Sequence, residues 1–175
     1  MLPAPKRAGT WPLVVAAASV PAGWLLQDVA GGGQGEAGFG GIPAVAWPLV
    51  HVSAVHAATN FVALCLVAWL AGGGPPQRAR AWAACLIAGM LAGPAVGWAL
   101  VGGVWLGASG MVEGAAAGLW VQSRAGGRPA ARATAAVLAI TIGSGGDTAG
   151  VAAHAASFAA AWLAARLLVA PRGVC

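Results

Sequence analysis

The sequence predicts an all-α membrane protein, a single bundle of six transmembrane helices, and three observations carry that prediction. Of its 175 residues 59% are hydrophobic and only 7% are charged, where a soluble domain carries about 25% charge, and the mean hydropathy is +0.80. Six apolar stretches divide the chain. At about 20 residues for each crossing the length holds six spans with a modest remainder for loops and tails, and it leaves no room for a second domain. With six spans, every basic residue falls on one side of the membrane, while Asp28, Glu36 and Asp147 fall on the other. A different count would scramble that segregation.

The elements follow in order. Residues 1–10 form a short tail carrying Lys6 and Arg7, and the first span covers roughly 11–27. A basic lead before an apolar run also fits a secretory signal peptide, but Trp24 and Gln27 make a poor cleavage site, so the span is read as retained. A glycine-rich external connection, with Gly31, Gly32, Gly33 and Gly35 among its residues, leads to the second span, 47–71. Gly72, Gly73, Gly74, Pro75 and Pro76 make the next turn. Arg78 and Arg80 then precede the third span, 80–100, and the fourth covers 104–122. Arg124, Arg128 and Arg132 mark the turn into the fifth, 131–146. The sixth, 148–170, carries Arg166 and is followed by a tail, 171–175, with Arg172. Pro21 and Pro94 lie inside spans, where membrane helices accept them. Trp11 and Trp24, Trp47 and Trp69, Trp82 and Trp98, and Trp105 and Trp120 bracket the first four spans as interface anchors do. The positive-inside rule places both termini in the cytoplasm, and a bacterial plasma membrane is the expected location.

Composition also excludes functions. Nine basic residues spread along an apolar chain do not form the patch that a nucleic acid requires, so the partner they imply is the bilayer. Cys65, Cys85 and Cys175 have no spacing suited to a disulfide framework or a zinc site. No metal or organic cofactor is expected.

A charge at the centre of a membrane helix costs about 2.5 to 3.5 kcal/mol even on the lenient insertion scale, so the polar residues within the spans need a reason. They are His51, His56 and Asn60 in the second, Ser109 and Glu113 in the fourth, and His154 in the sixth. Ser109 stands in Gly107-Ala108-Ser109-Gly110 at the start of its helix, where unpaired backbone N–H groups and the helix dipole favour a developing anion. Gly110, Gly114 and Gly118 then form a smooth stripe, and Gly150, Ser157 and Ala161 form a second one beside His154. Packing these two faces together brings His154 to Ser109, as activation of a nucleophile by a general base requires. His56 and Asn60 are four residues apart and share a helix face, from which their N–H groups can stabilise an oxyanion. His51 points elsewhere and is read as structural.

Together these residues resemble the rhomboid family of intramembrane serine proteases. The matching pieces are His51-Val52-Ser53-Ala54-Val55-His56-Ala57-Ala58-Thr59-Asn60, Gly107-Ala108-Ser109-Gly110 and Ala153-His154, each in its expected span. The resemblance implies a six-helix core in which Ser109 is the nucleophile, His154 the general base, and His56 and Asn60 line the oxyanion hole with the Ser109 N–H. Gly107, Gly110 and Gly114 have structural parts. Single-span membrane proteins are the implied substrates, and the sequence leaves the oligomeric state open.

Three departures stand out. Ile42-Pro43 lies where many rhomboids have Trp-Arg, and Ser157 and Ala161 stand where glycines are usual. Glu113 occupies a position often aromatic or histidine. Its carboxylate either orients and charge-stabilises His154, extending the dyad toward a triad, or is a neutral acid hydrogen-bonded within the bundle. The compact size and short first loop also resemble the rhombosortase branch, which processes Gly-Gly C-terminal sorting signals. A catalytically silent, client-binding relative is a further alternative, although such relatives usually lack the serine or histidine kept here. A transporter fits poorly, since the sequence has no internal repeat and no paired discontinuous helices.

Overall fold

Alanine, leucine and valine dominate long stretches with few breakers, a composition that favours helix once a bilayer or a protein interior removes the competition of water. In the computed structural model the described residues are 8–29, 51, 53–72, 77–101, 108–125, 127–143 and 148–169, and every element among them is helical. A 3-10 turn, Ala8–Thr10, leads into α1 (Trp11–Val29), followed by α2 (Ala54–Ala71), α3 (Gln77–Val101), α4 (Ser109–Ala125), α5 (Pro129–Gly143) and α6 (Thr148–Val169). The calls on Gly107, Ile42-Pro43, Trp47, Trp105, Asp147 and the C-terminal tail lie outside the described residues.

Local chemistry sets the ends. The second helix was expected from residue 47, yet α2 begins only at Ala54 because Ser53 caps it. Ser53 has extended backbone and its hydroxyl accepts the His56 N–H at 3.1 Å. Gly72 stops the same helix with φ at +62°, donating its N–H to the Trp69 carbonyl. Pro129 opens α5, where its missing N–H costs nothing.

The centre of the bundle is α4, which packs against α2, α3, α5 and α6. Every residue from Met111 to Leu119 is buried. A helix enclosed in this way needs small side chains, and Gly110, Gly114, Ala115, Ala116, Ala117 and Gly118 supply them. The glycine stripe lies on α3: a Cβ on Gly110 would stand 2.7 Å from the Gly89 carbonyl oxygen, and one on Gly114 would strike the Cys85 carbonyl. A Cβ on Gly118 would come within 2.6 Å of the Trp82 ring. The small face of α6 also meets α3, where the Ser157 hydroxyl donates to the Gly89 carbonyl at 2.8 Å and a Cβ on Gly93 would strike Ser157 Oγ. This corrects the expected pairing of the two small-residue faces. Each packs on α3, and the two helices meet beside it, where Ala161 of the α6 face and Ala165 reach Ala117 of α4.

Trp82 corrects the interface assignment too, since it is fully buried in the space that Gly118 leaves open. Trp11, Trp69 and Trp98 are exposed.

Among the described residues three helical stretches are long and apolar enough to cross a membrane, Ala54–Ala71, Arg78–Val101 and Thr148–Leu168, while Trp11–Leu25 and Pro129–Ile142 are apolar but shorter. Large apolar side chains stand exposed on every helix except α4, among them Val14, Val62, Leu91, Ile140 and Leu167. In water such a surface would drive aggregation, whereas lipid accommodates it. These are the features of a helical membrane protein. The arginines collect at helix ends, and Arg128 reaches from the α4–α5 turn to the Ala71 carbonyl at 3.5 Å, tying that turn to the end of α2.

Candidate active site

The site is built around the first turn of α4. Ahead of it, the buried His51 accepts the Ala108 N–H at Nε2, 3.2 Å away. The Ala108 carbonyl in turn accepts the Val112 N–H at 3.1 Å. The residue before Ser109 is thus held from both sides, which fixes where the helix starts and where the half-buried Ser109 leaves the backbone. Acceptance at Nε2 makes His51 the neutral tautomer with its hydrogen on Nδ1. Its ring also stands edge-on to His56, with centroids 5.3 Å apart and planes at 73°. The expectation that His51 points away from His56 therefore fails, because residue 51 precedes α2 and helical spacing does not apply to it. Its structural part is larger than helical spacing implied: it links the serine turn to the second histidine.

His56 and Asn60 are one turn apart on α2, a helix that packs on α4. Asn60 is buried, and neither its Nδ2 nor His56 Nδ1 has a hydrogen-bond partner among the described residues. A buried polar group left in that condition costs about 1 to 3 kcal/mol. The arrangement supplies donor capacity that the fold itself does not consume.

His154 lies on α6, where its Nδ1 stands 3.8 Å from Glu113 Oε1. The Glu113 side chain is 1% exposed and that of His154 12%. Neither carboxylate oxygen has a hydrogen-bond partner among the described residues. Glu113 follows Ser109 by four residues, so the two share one face of α4, and this is the face that α6 meets at His154. Glu113 makes a polar contact between the two helices here. The structure therefore gathers α2, α4 and α6 residues into one region.

A cavity of about 280 Å³ opens beside this region between α4, α5 and α6. Glu113 and His154 line it together with Ile140, Val151 and Phe158. Ile140 and Val151 are exposed on the outside of the bundle, so the cavity faces sideways between α5 and α6. Gly110 and Gly114 are contact points for α3 and not part of the polar cluster. Among the described residues no group of three or more His, Cys, Asp or Glu side chains is placed to hold a metal ion.

No protein-family model, curated protein or solved structure matches the chain. Two features of the site went unread in the sequence. Ser53 carried a usable signal as a serine before an apolar helix. The His51–Ala108 bond carried none, because it joins residues 57 apart in sequence.

Proposed function

We propose that the protein is an intramembrane serine endopeptidase of the rhomboid type, a six-span bundle that cleaves peptide bonds in or near the transmembrane segments of single-span membrane proteins. The observation that carries this reading is the meeting of α4 and α6 at Glu113 and His154, which turns the Ser109 face of α4 toward the histidine. The buried Asn60 donor, without a partner among the described residues, and His56 one turn before it support the reading from α2.

In the reaction, Ser109 Oγ attacks the scissile carbonyl carbon while its proton passes to His154. The carbonyl π electrons move onto oxygen, and the resulting oxyanion is held by the Ser109 N–H with His56 and Asn60. Collapse breaks the C–N bond, and the histidine returns the proton to the leaving amine. A water molecule, deprotonated by the same histidine, then attacks the acyl-enzyme and releases a carboxylic acid and free Ser109. A substrate helix has its peptide carbonyls shielded and hydrogen-bonded, so local unwinding precedes attack. Segments with Gly, Ala or Pro near the cleaved bond meet that need.

The arginines at the ends of α3, α4, α5 and α6 favour a cytoplasmic side for those ends under the positive-inside rule, and the reading adopts it. Ser109 then lies toward the external side, where water is available.

The test is cleavage of a single-span reporter with a Gly/Ala-rich outer segment by the purified protein in liposomes. Product is expected from the wild type and none from Ser109→Ala or His154→Ala, and a fluorophosphonate probe is expected to label Ser109 in the wild type only. Cleavage that survives both substitutions, or a wild-type serine that neither cleaves nor reacts with the probe, would overturn the reading.

A further inference from the structure

We infer that Glu113 is a positioning residue, a third member of the catalytic group that holds the Nδ1 edge of His154 and thereby turns Nε2 toward Ser109. The inference rests on the serine-protease reading above and extends it from a pair to a triad whose carboxylate comes from the nucleophile's own helix.

The two roles available to a buried carboxyl at this position make different demands. A purely structural acid needs hydrogen-bond partners inside the bundle, because a buried polar group without them costs more than an apolar residue of the same size. Glu113 has none: both oxygens are sealed from solvent and neither is hydrogen-bonded among the described residues. Around it α4 is lined by Met111, Val112, Ala115 and Ala116, which have no polar side-chain atoms to offer. The polar group it does approach is His154, and the approach is specific in atom, Oε1 to Nδ1 at 3.8 Å. A small movement of either side chain closes that distance to a hydrogen bond.

The atom concerned decides the chemistry. With Nδ1–H directed at the carboxylate, the acceptor lone pair of the neutral ring lies on Nε2, the nitrogen a general base must present to the serine hydroxyl. Spacing along α4 completes the geometry, since Ser109 is one turn before Glu113 and Glu113 is the residue of that face in contact with α6 at His154. When Nε2 takes the proton from Ser109 Oγ the ring becomes an imidazolium, and the Glu113 carboxylate offsets its charge in a site with little water to do so. Glu113 itself gains no proton at any step.

The experiment measures the rate at which a fluorophosphonate labels Ser109 in liposomes, for wild type, Glu113→Gln, Glu113→Asp and Glu113→Ala, together with thermal unfolding of each in detergent. Glu113→Gln is expected to unfold at or above the wild-type temperature, since it removes a sealed acid, and to label about 100-fold more slowly or worse. Glu113→Asp is expected to recover part of the rate. Added formate, entering by the cavity beside His154, is expected to accelerate labelling of Glu113→Ala and to leave Glu113→Gln unchanged, because a carboxylate is then supplied where only space remained.

Labelling of Glu113→Gln at the wild-type rate would overturn the inference while leaving the serine-histidine reading intact. So would a loss of rate matched by a loss of stability in Glu113→Gln, with no recovery from aspartate. If Glu113→Ala fails to fold, the glutamine and aspartate variants decide the matter by themselves. A wild type that does not label removes the protease reading, and this inference falls with it.

Discussion

Asn60 is a carboxamide whose buried Nδ2 has no hydrogen-bond partner among the described residues. Such a group weakens the folded state, so its removal separates stability from activity. Asn60→Ala is predicted to unfold at the wild-type temperature or above it, and to lower kcat by about 100- to 1,000-fold as loss of one oxyanion donor does, with a smaller effect on KM. Parallel kinetics and unfolding measurements check this, and a variant that loses stability but keeps its turnover would exclude the oxyanion role. At this scale the sequence was informative, because the cost of polar groups among apolar ones singled out His56, Asn60, Ser109, Glu113 and His154 before any coordinates. His51 shows where that reasoning ends. Its type and burial were inferable, but its bond to Ala108 depends on the chain leaving the helix before Ala54, and nothing in helical spacing reports that.

The helices tell a similar story about faces and partners. A run of small residues announces that some backbone comes close, and the stripes on α4 and α6 were legible for that reason. It does not announce which backbone. Both stripes meet α3, whose Gly89 and Gly93 supply the matching gaps, and those two glycines carry no polar marker to draw attention. Trp82 was misplaced on the same ground, since an aromatic near a span end reads as an anchor until a facing glycine gives it room inside. The α3–α6 contact gives a direct check. Gly93→Ala places a methyl against Ser157 Oγ and is predicted to lower the unfolding temperature. Ser157→Ala alone costs about 1 kcal/mol through the lost bond to the Gly89 carbonyl. In the double variant part of the Gly93→Ala loss is recovered, because the hydroxyl that collided is gone. Strict additivity across that double-mutant cycle would show that the two positions do not touch.

Taken as one object, the molecule is an apolar-surfaced bundle with its arginines at the helix ends, and the number of helices was legible from hydropathy and charge alternation alone. Their ranking was not: among the described residues only three are long and apolar enough to cross unaided, since α1 and α5 fall short in length while α4, walled by other helices, is released from the composition that lipid demands. The six-span reading predicts that periplasmic-type reporters fused to either terminus stay inactive while cytoplasmic ones are active. A terminus found outside would break the alternation on which the reading depends. The enclosure of α4 has a consequence for how the protein is made. Between Met111 and Leu119 it touches protein on every side, and it holds Glu113 there. A nascent segment of that kind gains little by partitioning alone from the translocation channel into lipid, where its carboxyl would meet hydrocarbon. It has to be retained until a neighbour can receive it, and α3, already synthesised and bearing the glycines that fit it, is the natural receiver. On that order of events Ser109 enters the bilayer as cargo of the helix before it, and the order of synthesis becomes part of how the polar cluster is assembled.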